Sequence, residues 1–372
     1  MAADERTAAS QTVLSTRTVF VGLVLAAVMV GVSAAVIFGG GLDTVALENS
    51  DDEENTQPTI VDVSGNTTVT VTYTTADRET DEFVVDGVAP ELSDSVNGWA
   101  FVDKSALPTA LERRADTRTD SIVPVGHRVL IGNVTSSTRQ VGTATVTVVA
   151  PAGRGVDPTR KSYFISEFLS PYSLNPDKQA VTVVAAPDAL PYKGLTYADG
   201  TSYVTIEAFW DGDVGSVWLH ETVHTRQSFT LDREMKWFRE ASAEYLTYRA
   251  LQEQYEQVDD SDVRARLDAV PDYHEARLSA PSTWGKNPVD YTRGVRLLYA
   301  IDAAVRTGSG GDHTLFDVFY AMNQRDGTVT LQEFRHIVEN HSGDDEAWIE
   351  HAITGPGQVS QYHDATDVFV EG

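Results

Sequence analysis

The sequence contains no cysteine among its 372 residues. Disulfide bonds and thiolate metal sites are therefore excluded, and any metal ion has to be held by histidine, aspartate or glutamate. Basic residues are also scarce: 28 lysines and arginines, only six of them lysine, stand against 55 aspartates and glutamates. Because no basic cluster is present, the composition argues against a nucleic-acid partner.

The excess of acidic residues gives the chain a formal net charge of −27, while 41% of its residues are hydrophobic. The apolar share is large enough to bury a core. A surface this acidic repels itself in dilute buffer, and dissolved salt screens the repulsion. The composition therefore predicts a halophilic protein, with an ordinary acidic secreted protein as the alternative.

One long apolar segment lies near the N-terminus. Residues 19–38 carry no charge, and twenty such residues are about enough to cross a bilayer as a helix. Arg6 and Arg17 precede the segment and an acidic stretch at 48–54 follows it, so the positive-inside rule places the N-terminus in the cytoplasm and the remainder outside the cell. A cleaved signal peptide ending at residues 32–34 is the alternative, but the length of the segment favours an uncleaved anchor.

The remaining sequence changes from strand-like to helix-like patterns. Runs rich in β-branched residues predict strands at 67–73, 82–85, 127–131, 143–149, 180–184 and 202–207, with a helix at 104–114. Helical patterns follow at 214–228, 232–256, 260–269, 291–307, 313–322, 330–340 and 344–353. A β part followed by a helical part indicates an α+β protein.

These patterns divide the chain into six predicted parts. They are a cytoplasmic N-terminus (1–17), a transmembrane anchor (18–40), an acidic disordered linker (41–58), a small β-rich domain (59–155), a catalytic domain (156–355) and a C-terminal tail (356–372).

The motif His220-Glu221-Thr222-Val223-His224 lies on the first predicted helix of the catalytic part. The two histidines are four residues apart, so both imidazoles face the same side, one turn apart, and can bind one zinc ion. Glu221 is placed to take a proton from a water molecule that the metal polarises. Two histidines at this spacing can also form a plain polar face, but the intervening glutamate and the apolar stretch at 214–219 favour a metal site.

A catalytic zinc site needs a third protein ligand. The next predicted helix carries Glu240 and Glu244 on one face. One could bind zinc, and the other could accept a hydrogen bond from the far nitrogen of a ligand histidine and fix its tautomer. The alternative is that both are solvated glutamates of an amphipathic helix.

The two segments together resemble the gluzincin metallopeptidases, the group that contains thermolysin and aminopeptidase N. The residues that match the Trp-x-x-Glu-Gly-x-Ala-x-Tyr pattern of the aminopeptidase N branch are Trp237, Glu240, Ala243 and Tyr245. Ala241 stands in place of the glycine. The match implies that Glu240 is the third zinc ligand and Glu244 a supporting partner. The separation between His224 and Glu240 is shorter than is usual in the family, and Glu244 would restore the usual distance. The spacing therefore favours Glu244 as the third ligand instead.

The resemblance extends over about residues 180–355. Asp290-Tyr291-Thr292-Arg293-Gly294 looks like the Tyr-x-x-Gly segment of the family, which implies that Tyr291 donates a hydrogen bond to the reaction oxyanion. The resemblance also implies a mostly helical, thermolysin-like catalytic domain. Residues 190–200 lack the Met-Glu-Asn with which aminopeptidases bind the free amine of the substrate, so exopeptidase and endopeptidase activity both remain open.

The function predicted from the sequence is that of a membrane-anchored zinc metallopeptidase. It would hydrolyse peptide bonds of peptide or protein substrates outside the cell, with Glu221 as the base. Two alternatives remain: an inactive zinc-binding surface module with the same fold, and a zinc hydrolase that acts on a non-peptide bond. No partner protein is indicated.

Overall fold

The structure of the protein is a computed structural model. It describes residues 59–369 except 66–67, 87–97, 114, 173, 209–213, 256–257 and 366–367. The predicted cytoplasmic segment, the anchor at 18–40 and the linker at 41–58 lie outside the described residues. Within the described part, every helix is too short or too polar to cross a bilayer.

Two small antiparallel sheets form the N-terminal part. Their elements are β1 (Thr59–Gly65), β2 (Thr68–Thr74), β3 (Thr80–Asp86), β4 (Trp99–Asp103), α1 (Thr109–Glu112), β5 (Ile122–Val125) and β6 (Arg128–Gly132). The strand orders are β1-β2-β3 and β4-β6-β5. The strand predicted at 67–73 is confirmed as β2, in which Val69, Val71 and Tyr73 are buried while the intervening threonines are not. These side chains share a core with Leu111 of α1.

A five-stranded mixed sheet connects this part to the helices. It contains β7 (Val134–Val141), β8 (Ala144–Pro151), β9 (Ala180–Ala186), β10 (Gly194–Thr196) and β11 (Thr201–Thr205), in the order β10-β11-β9-β8-β7. β8, β9 and β11 are parallel, and β7 and β10 are antiparallel edge strands. The sheet continues across residue 155, at which the sequence predicted a domain boundary. β10 forms the edge nearest to the predicted zinc helix.

The parallel strands β8 and β9 are joined through α2 (Pro158–Leu169), a helix that the sequence patterns did not predict. Asp157 caps it by accepting bonds from the backbone N–H groups of Thr159 (2.9 Å) and Arg160 (3.3 Å), and Pro158 occupies its first turn. The capping residue followed by proline was the local signal for this helix.

The C-terminal part is helical, as predicted. Its elements are α3 (Val217–Arg226), β12 (Thr230–Leu231), α4 (Phe238–Glu253), α5 (Asp260–Ala269), α6 (Val295–Gly308), α7 (Leu315–Asn323), β13 (Thr328–Val329), α8 (Leu331–Ser342), α9 (Ala347–Thr354) and α10 (Ser360–Asp364). The two-residue strands β12 and β13 pair in parallel. The α+β class is therefore confirmed. α10 lies in the segment predicted as a tail, yet its Tyr362 is buried.

A buried polar network holds α4 against α6 and α7. Asp302 on α6 accepts a hydrogen bond from the Tyr245 hydroxyl (2.7 Å) and another from the backbone N–H of Leu315 (2.7 Å). The Arg249 Nε lies 3.7 Å from Asp302 Oδ2, and both side chains are almost fully buried. Removing one partner of such a buried pair typically costs about 3–5 kcal/mol. The network therefore fixes α4, which carries the two candidate glutamates.

Candidate metal centre

Helix α3 aims both histidines of the motif at one point. The side chain of Ser216 caps the helix by accepting a bond from the Leu219 N–H (3.3 Å). His220 and His224 then lie one turn apart, with their Nε2 atoms 3.0 Å from each other. His220 is only 7% exposed, so the pair is not a plain polar face on the surface.

Helix α4 brings Glu240 to the same point. Its Oε2 atom lies 3.1 Å from His224 Nε2 and 3.4 Å from His220 Nε2. His220, His224 and Glu240 thus form a cluster that could hold a metal ion, with one ligand atom from each residue and all of these atoms within 4.8 Å of one another. Glu244 lies one turn further along α4, and its Oε2 is 3.0 Å from His220 Nδ1. The two glutamates contact opposite nitrogens of the same ring.

The surrounding hydrogen bonds decide which histidine nitrogens carry protons. His220 Nδ1 faces the Glu244 carboxylate, and His224 Nδ1 lies 3.0 Å from Gln227 Oε1. Gln227 Nε2 donates to the Arg239 carbonyl (2.8 Å) and to Ser242 Oγ (3.1 Å), which fixes the oxygen of this amide on the histidine side. Both partners of the Nδ1 atoms are acceptors, so both Nδ1 atoms donate.

If both rings are neutral, their Nε2 atoms carry lone pairs that point at each other and at the Glu240 carboxylate. This arrangement of lone pairs and negative charge favours a cation at the centre of the cluster, either a metal ion or a proton. Ligand atoms about 2.0–2.1 Å from a tetrahedral zinc ion lie about 3.3 Å apart, close to the separations here. The donor set and its spacing fit zinc.

The pKa values of the histidine and glutamate side chains also indicate that the cluster stabilises positive charge. Burial by itself lowers the pKa of His220, but hydrogen bonds to Glu240 and Glu244 outweigh it and raise this pKa to about 10. Burial by itself raises the pKa of Glu240, but bonds from His220 and His224 hold it well below its usual range. The pKa of Glu244 is lowered as well, since its bond to His220 opposes the effect of burial. The cluster holds a proton where the metal would bind.

The Glu221 side chain contacts the edge strand β10. Its Oε2 accepts a hydrogen bond from the Thr196 hydroxyl (2.7 Å), which also donates to the Glu221 carbonyl (3.1 Å). A Cβ on Gly194 would lie 2.4 Å from Glu221 Oε1, so a larger residue at this position would displace the carboxylate. Burial raises the pKa of Glu221, which is the direction expected for a proton-accepting carboxylate.

Tyr291 reaches the cluster from a π-helical turn, Asp290–Gly294, that precedes α6. Its hydroxyl donates to Glu240 Oε2, and its ring stacks on His220 with the centroids 5.7 Å apart. A Cβ on Gly294 would lie 2.9 Å from the Ala241 Cβ, so glycine lets this turn approach α4. Burial, followed by the charge of Glu240, raises the pKa of Tyr291, so the hydroxyl keeps its proton and can donate it.

Two cavities meet at these residues. The larger, of about 450 Å³, is lined by Lys178, Tyr192, Gly194, Leu195, Thr196, Tyr197, Ala198, Gly200, Glu221, His224, Thr225, Gln227, Arg239, Glu240 and Tyr291. The smaller, of about 250 Å³, is lined by Tyr192, Lys193, Gly194, Val214, Gly215, Ser216, Val217, His220, Glu221, Glu244, Arg266 and Tyr291. Glu221 and Tyr291 line both. The cluster therefore opens to a cleft on two sides.

The structure brings all six predicted site residues together and adds others. Gln227 and Thr196 were not predicted. Gln227 follows His224 by three residues at the end of α3, a spacing that could have indicated a partner for this histidine. Thr196 is 25 residues from Glu221 in the chain, and no local pattern connects the two.

No family model matches the sequence, and no curated protein matches it significantly. Solved structures do match. An aminopeptidase N family protein from Idiomarina loihiensis aligns with a TM-score of 0.51 and 14% identity, over 63% of this chain and 49% of that chain. Aminopeptidase A of Legionella pneumophila, in complex with aspartic acid, aligns with a TM-score of 0.44 and 12% identity, over 81% of this chain and 45% of that chain. The chain spans about half the length of these structures. Its fold is similar to that of the aminopeptidase N family protein.

Proposed function

We propose that this chain is a zinc-dependent metallopeptidase. The observation that carries the proposal is the convergence of three lone-pair atoms, from His220, His224 and Glu240, at separations of 3.0–3.4 Å. Three protein ligands leave a coordination position open, as in catalytic rather than structural zinc sites. The cleft on both sides of the cluster offers room for a chain that passes through the site.

His220, His224 and Glu240 would hold the metal, and Glu244 and Gln227 would orient the two imidazoles by their Nδ1 bonds. Bound zinc would act as a Lewis acid toward a carbonyl oxygen and lower the pKa of water.

Glu221 has the position and the environment of a general base. Its carboxylate lies in the wall of the cleft, and its pKa is raised by burial. It would take a proton from the attacking water and pass it to the leaving amine. Thr196 holds one oxygen of this carboxylate by a hydrogen bond, which would orient the group. Tyr291 would donate a hydrogen bond from its hydroxyl to the developing oxyanion, in exchange for its bond to Glu240.

The proposal is tested by Glu221→Gln in the zinc-loaded protein, assayed with a mixed peptide library. Glutamine keeps the shape and can still bond Thr196, but it cannot take up a proton at neutral pH. Hydrolysis should fall at least ~10²-fold, as is usual for the loss of a general base. Zinc content should stay the same, since Glu221 is not one of the three converging residues.

Two results would count against this function. Near-full turnover by Glu221→Gln would exclude Glu221 as the base. Failure of the unmodified, zinc-containing protein to cleave any member of the library would favour the inactive module or the non-peptide hydrolase.

We also propose that the apolar segment at 19–38 anchors the protein in a membrane, with the N-terminus in the cytoplasm and the catalytic part outside the cell. The uncharged length and the acidic stretch that follows it support this orientation. Extracellular peptides or proteins are then the substrates.

A further inference from the structure

Two basic residues line the larger cavity. They are Lys178, which follows α2 in the chain, and Arg239, in the first turn of α4. The lining also contains two carboxylates, Glu221 and Glu240. Each carboxylate is already bonded, Glu221 to Thr196 and Glu240 to the histidines and Tyr291.

Arg239 is directed by the groups around the metal cluster. Its Nη1 donates to Gln227 Oε1 (3.2 Å), the same oxygen that accepts from His224 Nδ1 (3.0 Å). Gln227 in turn donates to the Arg239 carbonyl (2.8 Å). One guanidinium nitrogen is therefore held beside His224, and the exposed side chain keeps further N–H donors for a ligand in the cavity.

Lys178 is positioned through its backbone. Buried Arg226, at the end of α3, donates to the Lys178 carbonyl (2.5 Å) and to the Asn175 carbonyl. The Asn175 side-chain amide donates back to the Arg226 carbonyl (3.1 Å). The loop is thus tied to the zinc helix, while the half-buried Lys178 is one of the residues that line the cavity.

Two basic residues in one cavity, Lys178 and Arg239, are unusual in a chain with so large an excess of acidic residues. The sequence has 55 acidic residues and only 28 lysines and arginines. Among the residues that the structure describes, no carboxylate forms an ion pair with Lys178 or Arg239. Two cations that face a cavity without an acidic partner complement an anion supplied by a ligand.

We propose that the larger cavity binds a carboxylate of the peptide substrate, so that the site selects acidic peptides. The carboxylate comes from an aspartate or glutamate side chain or from a free C-terminus, and both have the same chemistry. The inference rests on the proposed peptidase function, whose substrate class it names. Arg239 offers a planar pair of donors to the carboxylate, and Lys178 adds a point charge.

Binding is measured without turnover, by calorimetry with the zinc-loaded full chain carrying Glu221→Gln. The probes are alanine hexapeptides that contain one glutamate or one glutamine, each with a free or an amidated C-terminus. A peptide with the recognised carboxylate should bind about tenfold more tightly than its neutral counterpart, given the usual strength of charged hydrogen bonds. The Glu/Gln comparison and the acid/amide comparison identify the source of the carboxylate.

Arg239→Gln and Lys178→Gln, each added to Glu221→Gln, should bring this ratio toward one. Lys178→Gln is the cleaner variant, because the backbone and not the side chain of Lys178 holds the loop. Lys236→Gln is the matched control: it removes the same charge from an exposed position near the start of α4 that does not line the cavity, and the ratio should persist.

Equal binding of the charged and neutral peptides would overturn the inference. So would a preference that survives both substitutions, since another group, such as the metal, would then hold the carboxylate. These outcomes are separate from the failure of the proposed function. Hydrolysis of charged and neutral peptides at equal rates by the unmodified protein would leave the function standing and the inference refuted. Preferential binding of the charged peptides without any hydrolysis would support carboxylate binding in the cavity and count against the peptidase function.

Discussion

Replacing Glu240 and Glu244 by glutamine, one at a time, separates two roles that the structure gives to neighbouring turns of α4. The Glu240 oxygen faces both Nε2 atoms, at 3.1 and 3.4 Å, whereas the Glu244 oxygen faces Nδ1 of His220 at 3.0 Å. Glutamine preserves the volume and removes one negative charge in each case. Any difference in zinc affinity between the two variants therefore reflects where each glutamate lies relative to the histidines.

The expected losses in zinc affinity differ by about an order of magnitude. Apparent binding free energies of about 10–16 kcal/mol for structural zinc, spread over four ligands, give about 2.5–4 kcal/mol a ligand, or roughly 10²–10³-fold for Glu240→Gln. Loss of a group that orients a ligand typically costs about 10–100-fold. Glu244→Gln should fall at the lower end, because the amide oxygen can still accept the bond from His220 Nδ1.

Zinc affinity is measured by competition with a chromophoric chelator, and circular dichroism checks that each variant is folded. Glu234→Gln, at an exposed position before α4, controls for the loss of one charge. If Glu244→Gln weakened binding as much as Glu240→Gln or more, the assignment of the third ligand from the geometry would be wrong. The longer chain separation of Glu244 from His224 would then have indicated the ligand correctly.

Three further outcomes are expected. Gly194→Ala should lower hydrolysis by about tenfold or more with zinc content unchanged, because its Cβ would displace the Glu221 carboxylate that it meets at 2.4 Å; unchanged turnover would show that this contact does not set the position of Glu221. The melting temperature should fall as salt is reduced from molar concentrations to ~0.1 M, because the net charge of −27 is then less screened, and a constant value would remove the halophilic interpretation. The full-length protein should remain with membranes after an alkaline carbonate wash, whereas a soluble form beginning at Ala35 would identify a cleaved signal peptide.

Local patterns predicted most of the secondary structure. Alternating threonine and valine in β2 and the long amphipathic pattern of α6 each report a period that the backbone itself imposes. The local signal for α2 lies at its start, where Asp157 and Pro158 mark a cap and a first turn, and not in the hydrophobic patterns that predicted the other helices. The continuation of one sheet through β7, β8 and β9 depends on pairing between distant strands, which no local pattern reports.

The pair His220 and His224 is a property of the sequence alone. Any α-helix places residues four apart on one face, so the motif implies converging imidazoles before any tertiary contact is known. The residue between them, Glu221, is equally fixed on the adjacent face of that helix. For the same reason, the sequence limited the third ligand to Glu240 or Glu244, which share one face of the next helix.

The family pattern and the chain separation favoured different members of the pair Glu240 and Glu244, and the tertiary structure shows which contacts each glutamate makes. They are one turn apart, and the packing of α4 against α3 sets which one meets the Nε2 atoms and which one meets Nδ1. Packing likewise brought Tyr291 to Glu240 through a π-helical turn and Thr196 to Glu221 from the edge of the sheet. Helical period reaches only neighbours on one helix, whereas a site assembled from separate elements depends on how their buried faces pack together.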